Sequence, residues 1–180
     1  MPCVFCHRTM HLGAHNHAAT DNQAGGRLQA RYLREQGASS PAFVTNREDP
    51  FSHRLREQGF AEIFPAADIL NVGDRQQAGE ELARSVANDS IDGIAFVNDL
   101  LLVQTVAALS RVAVPIDERF PIVGYDNSTV LMALPRRPAT IEIGIPDIYR
   151  SAAEALIELI DGERTAISLV HRPTLVPAEA

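Results

Sequence analysis

The chain has 180 residues, 46% of them hydrophobic and 22% charged, the balance of a globular protein rather than a disordered one. Its formal charge is −7 and every basic residue is an arginine, which argues against a chain that grips a phosphate backbone by itself. No apolar run approaches the about eighteen residues of a membrane span, and two cysteines make no disulfide framework, so a soluble protein of a reducing cytoplasm is expected.

The first element, "PCVF", is an apolar, β-favouring strand that opens the segment "CVFCHRTMHLGAHNH". Both cysteines and four of the six histidines fall in that segment, and Cys3 to His7 has the C-x-x-C-H spacing of a c-type haem attachment or part of a zinc site. Haem attachment needs an oxidising compartment, and the first residues carry no signal peptide pattern. Zinc needs converging ligands, whereas extended residues three apart point to opposite faces. Cys3 and Cys6 are therefore expected to be small hydrophobes packed in a buried strand, with no metal or cofactor.

Next, "DNQAGGRLQARYLREQG" reads as a helix with Asp21 as N-cap, Leu28, Tyr32 and Leu33 near helical spacing, and Gly37 where a C-cap belongs. "PAFVT" is a strand, "PFSHRLREQGF" a helix from Pro50 to Gly59, and "AEIFPA" a further strand. Helix "RQQAGEELARSVAND", strand "GIAFV", helix "DLLLVQTVAALSR" and strands "FPIVGY" and "ATIEI" follow. Helix "PDIYRSAAEALIELIDG" and an extended "AISLVHRPTLV" close the chain. This alternation predicts a largely parallel sheet between helices. "LREQG" occurs at 33–37 and again at 55–59, without a longer matching period, and reads as two similar helix ends.

In open α/β sheets the ligand crevice lies beyond the carboxyl ends of the strands. Four apolar runs here end in polar residues: His7 and Arg8, Asn46 and Arg47, Asn98 and Asp99, Asp126 and Asn127. Fixed amides, carboxylates and a guanidinium fork suit a polar small molecule. Asp99 and Asn127 read as caps of the helices they precede, which leaves Asn98 and Asp126 as the better ligand contacts. There is no G-x-S-x-G, H-E-x-x-H or G-x-x-x-x-G-K-[ST], so no enzyme is expected, and His53 reads as a surface residue.

The segment "VPIDERFPIVGYDN", with "FVND" and "AAL" upstream, resembles the effector-binding core of LacI/GalR-type bacterial transcription repressors. "ATDNQAGGRLQARYLREQGA" and "SHRLREQGF" extend the resemblance over nearly the whole chain. It implies an α/β fold of the periplasmic-binding-protein type I kind, with two doubly wound parallel-sheet lobes and an incomplete amino-terminal lobe. Residues 1–37 would be the remainder of that lobe, 38–137 the carboxyl-terminal lobe, 138–162 a return segment, and 163–180 a terminal strand and tail. The family's effector contacts carry over to Arg56, Asn98 and Asp126. His7 falls where relatives often place a polar contact, and Asp21 opens towards the same cleft; the resemblance also implies that the histidines after Cys6 belong to a surface loop.

The implied partner is a small-molecule effector: a sugar, polyol, sugar acid or nucleobase. DNA would be met only through a headpiece absent from this chain, in a homodimer. The chain departs from the family pattern at Leu102 and Gln104, in "SRVAVP", and in "ATI", and "NVGDRQQAG" lacks the ring on which relatives often stack a sugar. A periplasmic solute-binding protein of the same fold is the alternative.

Overall fold

The structure, a computed structural model, describes residues 1–6, 15–46, 50–72, 82, 86, 88, 90–111 and 120–179. Strands β1 (Phe5–Cys6) and β2 (His17–Thr20) precede helix α1 (Asn22–Glu35), β3 (Ala42–Thr45), α2 (Pro50–Ala61) and β4 (Asp68–Asn71). Then come β5 (Ile94–Phe96), α3 (Asp99–Arg111), β6 (Ile122–Val123) and a 3-10 turn at Thr129–Ala133. Last are β7 (Thr140–Glu142), α4 (Ile145–Ile160), β8 (Ser168–His171) and β9 (Thr174–Val176). The helix expected at residues 75–89 lies outside the described residues apart from Leu82 and Val86, which are helical, and Asn88.

The parallel α/β architecture is present as expected. One sheet runs β4-β3-β5-β6, all parallel, with Ala42 paired to Ile94 and Ile94 to Ile122. A second, β1-β2-β8, is also parallel, and β7-β9 form an antiparallel pair. The central strands β3 and β5 are wholly buried, as parallel strands covered on both faces must be. Around them packs a core containing Leu33, Phe43, Phe60, Phe96, Leu102 and Leu109. Each fully buried aromatic or aliphatic side chain there contributes about 1.5–3 kcal/mol.

The second sheet has a smaller core, Ala18, Ile148 and Ala152 with Val4, Cys6 and Leu169, because α4 returns to pack on β1, β2 and β8. Helix α1, placed by the sequence with the amino-terminal unit, gives Ala30 and Leu33 to the larger core and lies along α2. Cys3 and Cys6 are free thiols, but not the packed residues of a buried strand that the sequence suggests: Cys3 is exposed and Cys6 half-buried, because β1 is only Phe5–Cys6 and lies at the edge of its sheet. Among the described residues no helix is long and apolar enough to cross a membrane.

Three further local expectations are corrected. "AEIFPA" is not a strand: Ile63 and Phe64 N–H groups donate back to Phe60 O, Pro65 has no N–H, and the strand begins only at Asp68. The histidines after Cys6 do not all lie in a surface loop, since His17 is buried in β2. Its ring bonds His15 O at 2.9 Å and Ser168 Oγ at 3.3 Å. His53 is likewise buried rather than on the surface, on the packed side of α2.

Candidate functional site

The carboxyl ends of β5 and β6, the start of α1 and the middle of α2 meet at one polar cluster. Asp21 caps α1, its carboxylate accepting from Ala24 N–H at 2.8 Å, and its own N–H donates to His171 O at 2.9 Å. The next residue, Asn22, is buried and folds back, donating through Nδ2 to Thr20 O at 3.2 Å. That leaves its Oδ1 facing inward.

Arg56 reaches this oxygen from α2. Its Nε–H donates to Asn22 Oδ1 at 2.8 Å and Nη1 to Val97 O at 2.5 Å, while the guanidinium carbon lies 3.6 Å from the centroid of the Tyr125 ring. The Tyr125 hydroxyl donates to the same Asn22 oxygen at 3.3 Å. Arg56 is thus buried, stacked and aimed before any ligand arrives, a use of the planar fork that lysine cannot copy. Burial pushes the Tyr125 phenol up to about 12, against the lowering effect of Arg56 and with help from the charges of Asp126 and Asp21.

Asp126 follows Tyr125 at φ 104, and Asn127 follows at φ 52, two successive left-handed residues that are not glycine. Asp126 Oδ1 lies 3.7 Å from Arg56 Nη2, beyond hydrogen-bond length. Burial raises the Asp126 carboxyl to about 6; Arg56 opposes this, and Asp99 and Glu142 add to it. Asn127 donates to Glu142 Oε2 at 2.6 Å and accepts from Arg137 Nη2.

Asn98, not Asp99, caps α3: its Oδ1 accepts from Leu101 N–H at 2.8 Å. The expected capping roles of Asp99 and Asn127 are therefore corrected, because Asp99 is already the first residue of α3 and its carboxylate turns beneath Ser128 and Thr140. Asn127 is held by Glu142 and Arg137 rather than by a helix end.

Of the five residues expected at the site, the structure brings Arg56 and Asp126 side by side, sets Asn98 at the Val97 carbonyl that Arg56 holds, and places Asp21 next to Asn22. His7 lies outside the described residues, as do Arg8 and Arg47. The sequence reading missed Asn22 and Tyr125. An asparagine in the first turn of a helix is a poor helix former and a ready side-chain partner, the one local signal of its role. Among the described residues no group of three His, Cys, Asp or Glu side chains converges as for a metal. The cluster offers a fixed guanidinium, carboxylates and amides, the donors and acceptors that hydroxyl groups need.

Residues 30–179 match the family model described as a periplasmic binding protein-like domain. The sucrose operon repressor of Streptococcus mutans is 26% identical over 151 residues, which are 82% of this chain and 47% of that protein. The chain thus spans about half the length of the curated relative it matches. Among solved structures, a LacI family transcriptional regulator from Enterococcus faecalis with bound ribose superposes with a TM-score of 0.85 at 19% identity. The match covers 98% of this chain and 67% of that one. A periplasmic binding protein/LacI transcriptional regulator from Alkaliphilus metalliredigens, complexed with D-xylulofuranose, gives 0.84 at 24% identity, covering 99% and 70%. With the fold shared and the family model matched over most of its length, this chain belongs to the periplasmic binding protein-like domain family.

Proposed function

We propose that the chain is the effector-sensing domain of a LacI-type transcriptional regulator, binding a small sugar-like ligand through Arg56, Asn98 and Asp126, with Asp21 and His7 as further contacts. The observation that carries this reading is the prepared Arg56. Its guanidinium is fixed by Asn22, Val97 and Tyr125, yet its Nη2 stands 3.7 Å from Asp126, a gap that one ligand oxygen bridges. A buried fork beside a carboxylate recognises a hydroxyl as both acceptor and donor. The similarity to a sucrose operon repressor and to regulators holding ribose and D-xylulofuranose supports a sugar over a nucleobase.

In this reading the domain binds and does not catalyse, acts in the cytoplasm, and belongs to a homodimeric regulator whose headpiece meets DNA. Ligand binding favours one arrangement of the two sheets over another, and that difference in affinity is what shifts operator binding. Thermal-shift measurement of the purified chain against D-ribose, D-xylulose, sucrose, cellobiose, sugar acids and nucleobases tests it. A sugar-specific rise in Tm that Asp126→Ala abolishes is expected. Cooperative melting with no shift from any sugar overturns the reading.

A further inference from the structure

Asp99 is fully buried at the start of α3, where Asn98 already supplies the cap. Its carboxylate is therefore not spent on its own helix. One oxygen accepts from Ser128 N–H at 2.7 Å and the other from the Thr140 hydroxyl at 2.8 Å, while the Asp99 N–H donates to Tyr125 O at 2.8 Å. The Thr140 oxygen in turn accepts from Asn127 N–H at 3.2 Å. An acceptor at Asp99 fixes the hydroxyl hydrogen on that side and leaves the lone pairs for Asn127. The carboxylate is seated against Gly124, where a Cβ would come within 2.0 Å of Oδ1.

These bonds surround a turn that is otherwise costly. Asp126 and Asn127 both hold positive φ, a conformation that persists only where neighbours over-determine it. Besides Asp126 N–H, which donates to Ile141 O at 2.9 Å, the backbone donors of the turn end at Thr140 and Asp99.

We propose that Asp99 is the positioning residue of the site: through Ser128 N–H and the Thr140 hydroxyl it holds the Asp126–Asn127 turn in the conformation that presents Asp126 beside Arg56. Its part in effector binding rests on the function proposed above; its hold on the turn does not. The charged groups that act on it or on the adjoining Asp126 are Arg137, Arg56, Asp126 itself and Glu142. Burial raises the Asp99 carboxyl to about 6, against the bonds from Ser128, Thr140 and Tyr125, so the bonds it accepts become charge-assisted as pH rises through that value.

The test is made on the ligand-free chain by NMR. In the wild type the Ser128 and Asn127 amide shifts step near pH 6, and Asp126→Asn keeps that step for Ser128. Asp99→Asn removes it, and Asp99→Ala speeds exchange of the Ser128 amide by about tenfold or more, the loss expected for a bond to a charged acceptor. Thr140→Val loosens Asn127 in the same way and Thr140→Ser restores it. D-ribose titrations on the same proteins are expected to show Kd rising about tenfold or more in Asp99→Ala while its melt stays cooperative. Wild-type exchange and shifts in Asp99→Ala, or a Ser128 step that follows Asp126 instead of Asp99, overturn the proposal. Absence of binding by the wild type to any sugar overturns the effector reading instead and leaves the amide result to decide the role of Asp99.

Discussion

The charge on Asp126 is carried at a cost to the fold. Its carboxyl, ordinarily near 3.8, is raised to about 6 by burial in spite of Arg56. A raised acid means that between those values the folded chain holds more protons than the unfolded one, so this stabilisation is present in acid and is lost as pH rises through about 6. Asp126→Asn, which keeps the shape and drops the charge, is then expected to match or exceed the wild type in stability at about pH 7.5, with the difference vanishing near about pH 4. Urea denaturation at the two values measures this; a variant less stable at the higher pH would show that the Arg56 pair outweighs the burial. Arg56→Lys is expected to act oppositely. It loses the stacked fork and leaves Asn22 Oδ1 and Val97 O short of a buried donor, costing about 1–3 kcal/mol in the same assay.

The two copies of "LREQG" end in glycines that do different work in their helices. Gly37 follows the end of α1 at φ +94, with open space around it, as a left-handed C-terminal residue. Gly59 lies inside α2, where a Cβ would come 1.9 Å from Gln23 O, and Gly26 makes the reciprocal approach, 2.0 Å from Arg56 O. The helices therefore cross backbone to backbone, which is what lets Arg56 reach Asn22. Gly37→Ala is expected to cost about 1 kcal/mol through its φ alone. Gly59→Ala gains helix propensity but must separate the helices, so it costs more, about 1–3 kcal/mol, and also weakens ligand binding, as melting and titration together would show. The same contrast marks what local sequence reveals. Asp21 as a cap, Gly37 as a stop and the span of α3 were legible because each depends on neighbours within one turn. Strand β2, "HAAT", was not, because its burial comes from pairing with β8, about 150 residues away, and not from an apolar run. Arg34 and Arg56 share one local context, yet Arg34 is exposed and Arg56 buried, a difference made only by the crossing of α1 and α2. Asn98 and Asp126 could be picked out as strand-end polar residues; Asn22 and Tyr125 needed the three-dimensional meeting of α1, α2 and β6.

At the scale of the molecule the apolar burial is unevenly shared. The sheet β4-β3-β5-β6 buries Phe43, Phe60, Phe96 and several leucines, whereas β1-β2-β8 with α4 rests on two alanines, Ile148 and a few half-buried neighbours. Phe5, Ile157, Ile160 and Val170 of the smaller unit remain exposed. Beside the proposed site the Thr20 hydroxyl of β2 donates to Ile143 O, and Asp21 N–H, at the start of α1, donates to His171 O of β8, a polar seam between the described parts of the two units. Local opening free energy follows buried contact, so the smaller unit should open without the larger. Native-state hydrogen exchange in low urea reads this directly: amides of Ala18–Thr20 and Leu169–His171 are expected to exchange through an opening at least about 2 kcal/mol below the global one, while Phe43, Val44 and Ala95 exchange only on global unfolding. A single opening energy for both sets would mean that the polar seam binds the two sheets into one cooperative body. If two energies are found, a ligand contacting Asp21 as well as Asp126 is expected to raise both by the same amount, because local and global opening alike release it, whereas a ligand held by the larger unit alone raises only the global one.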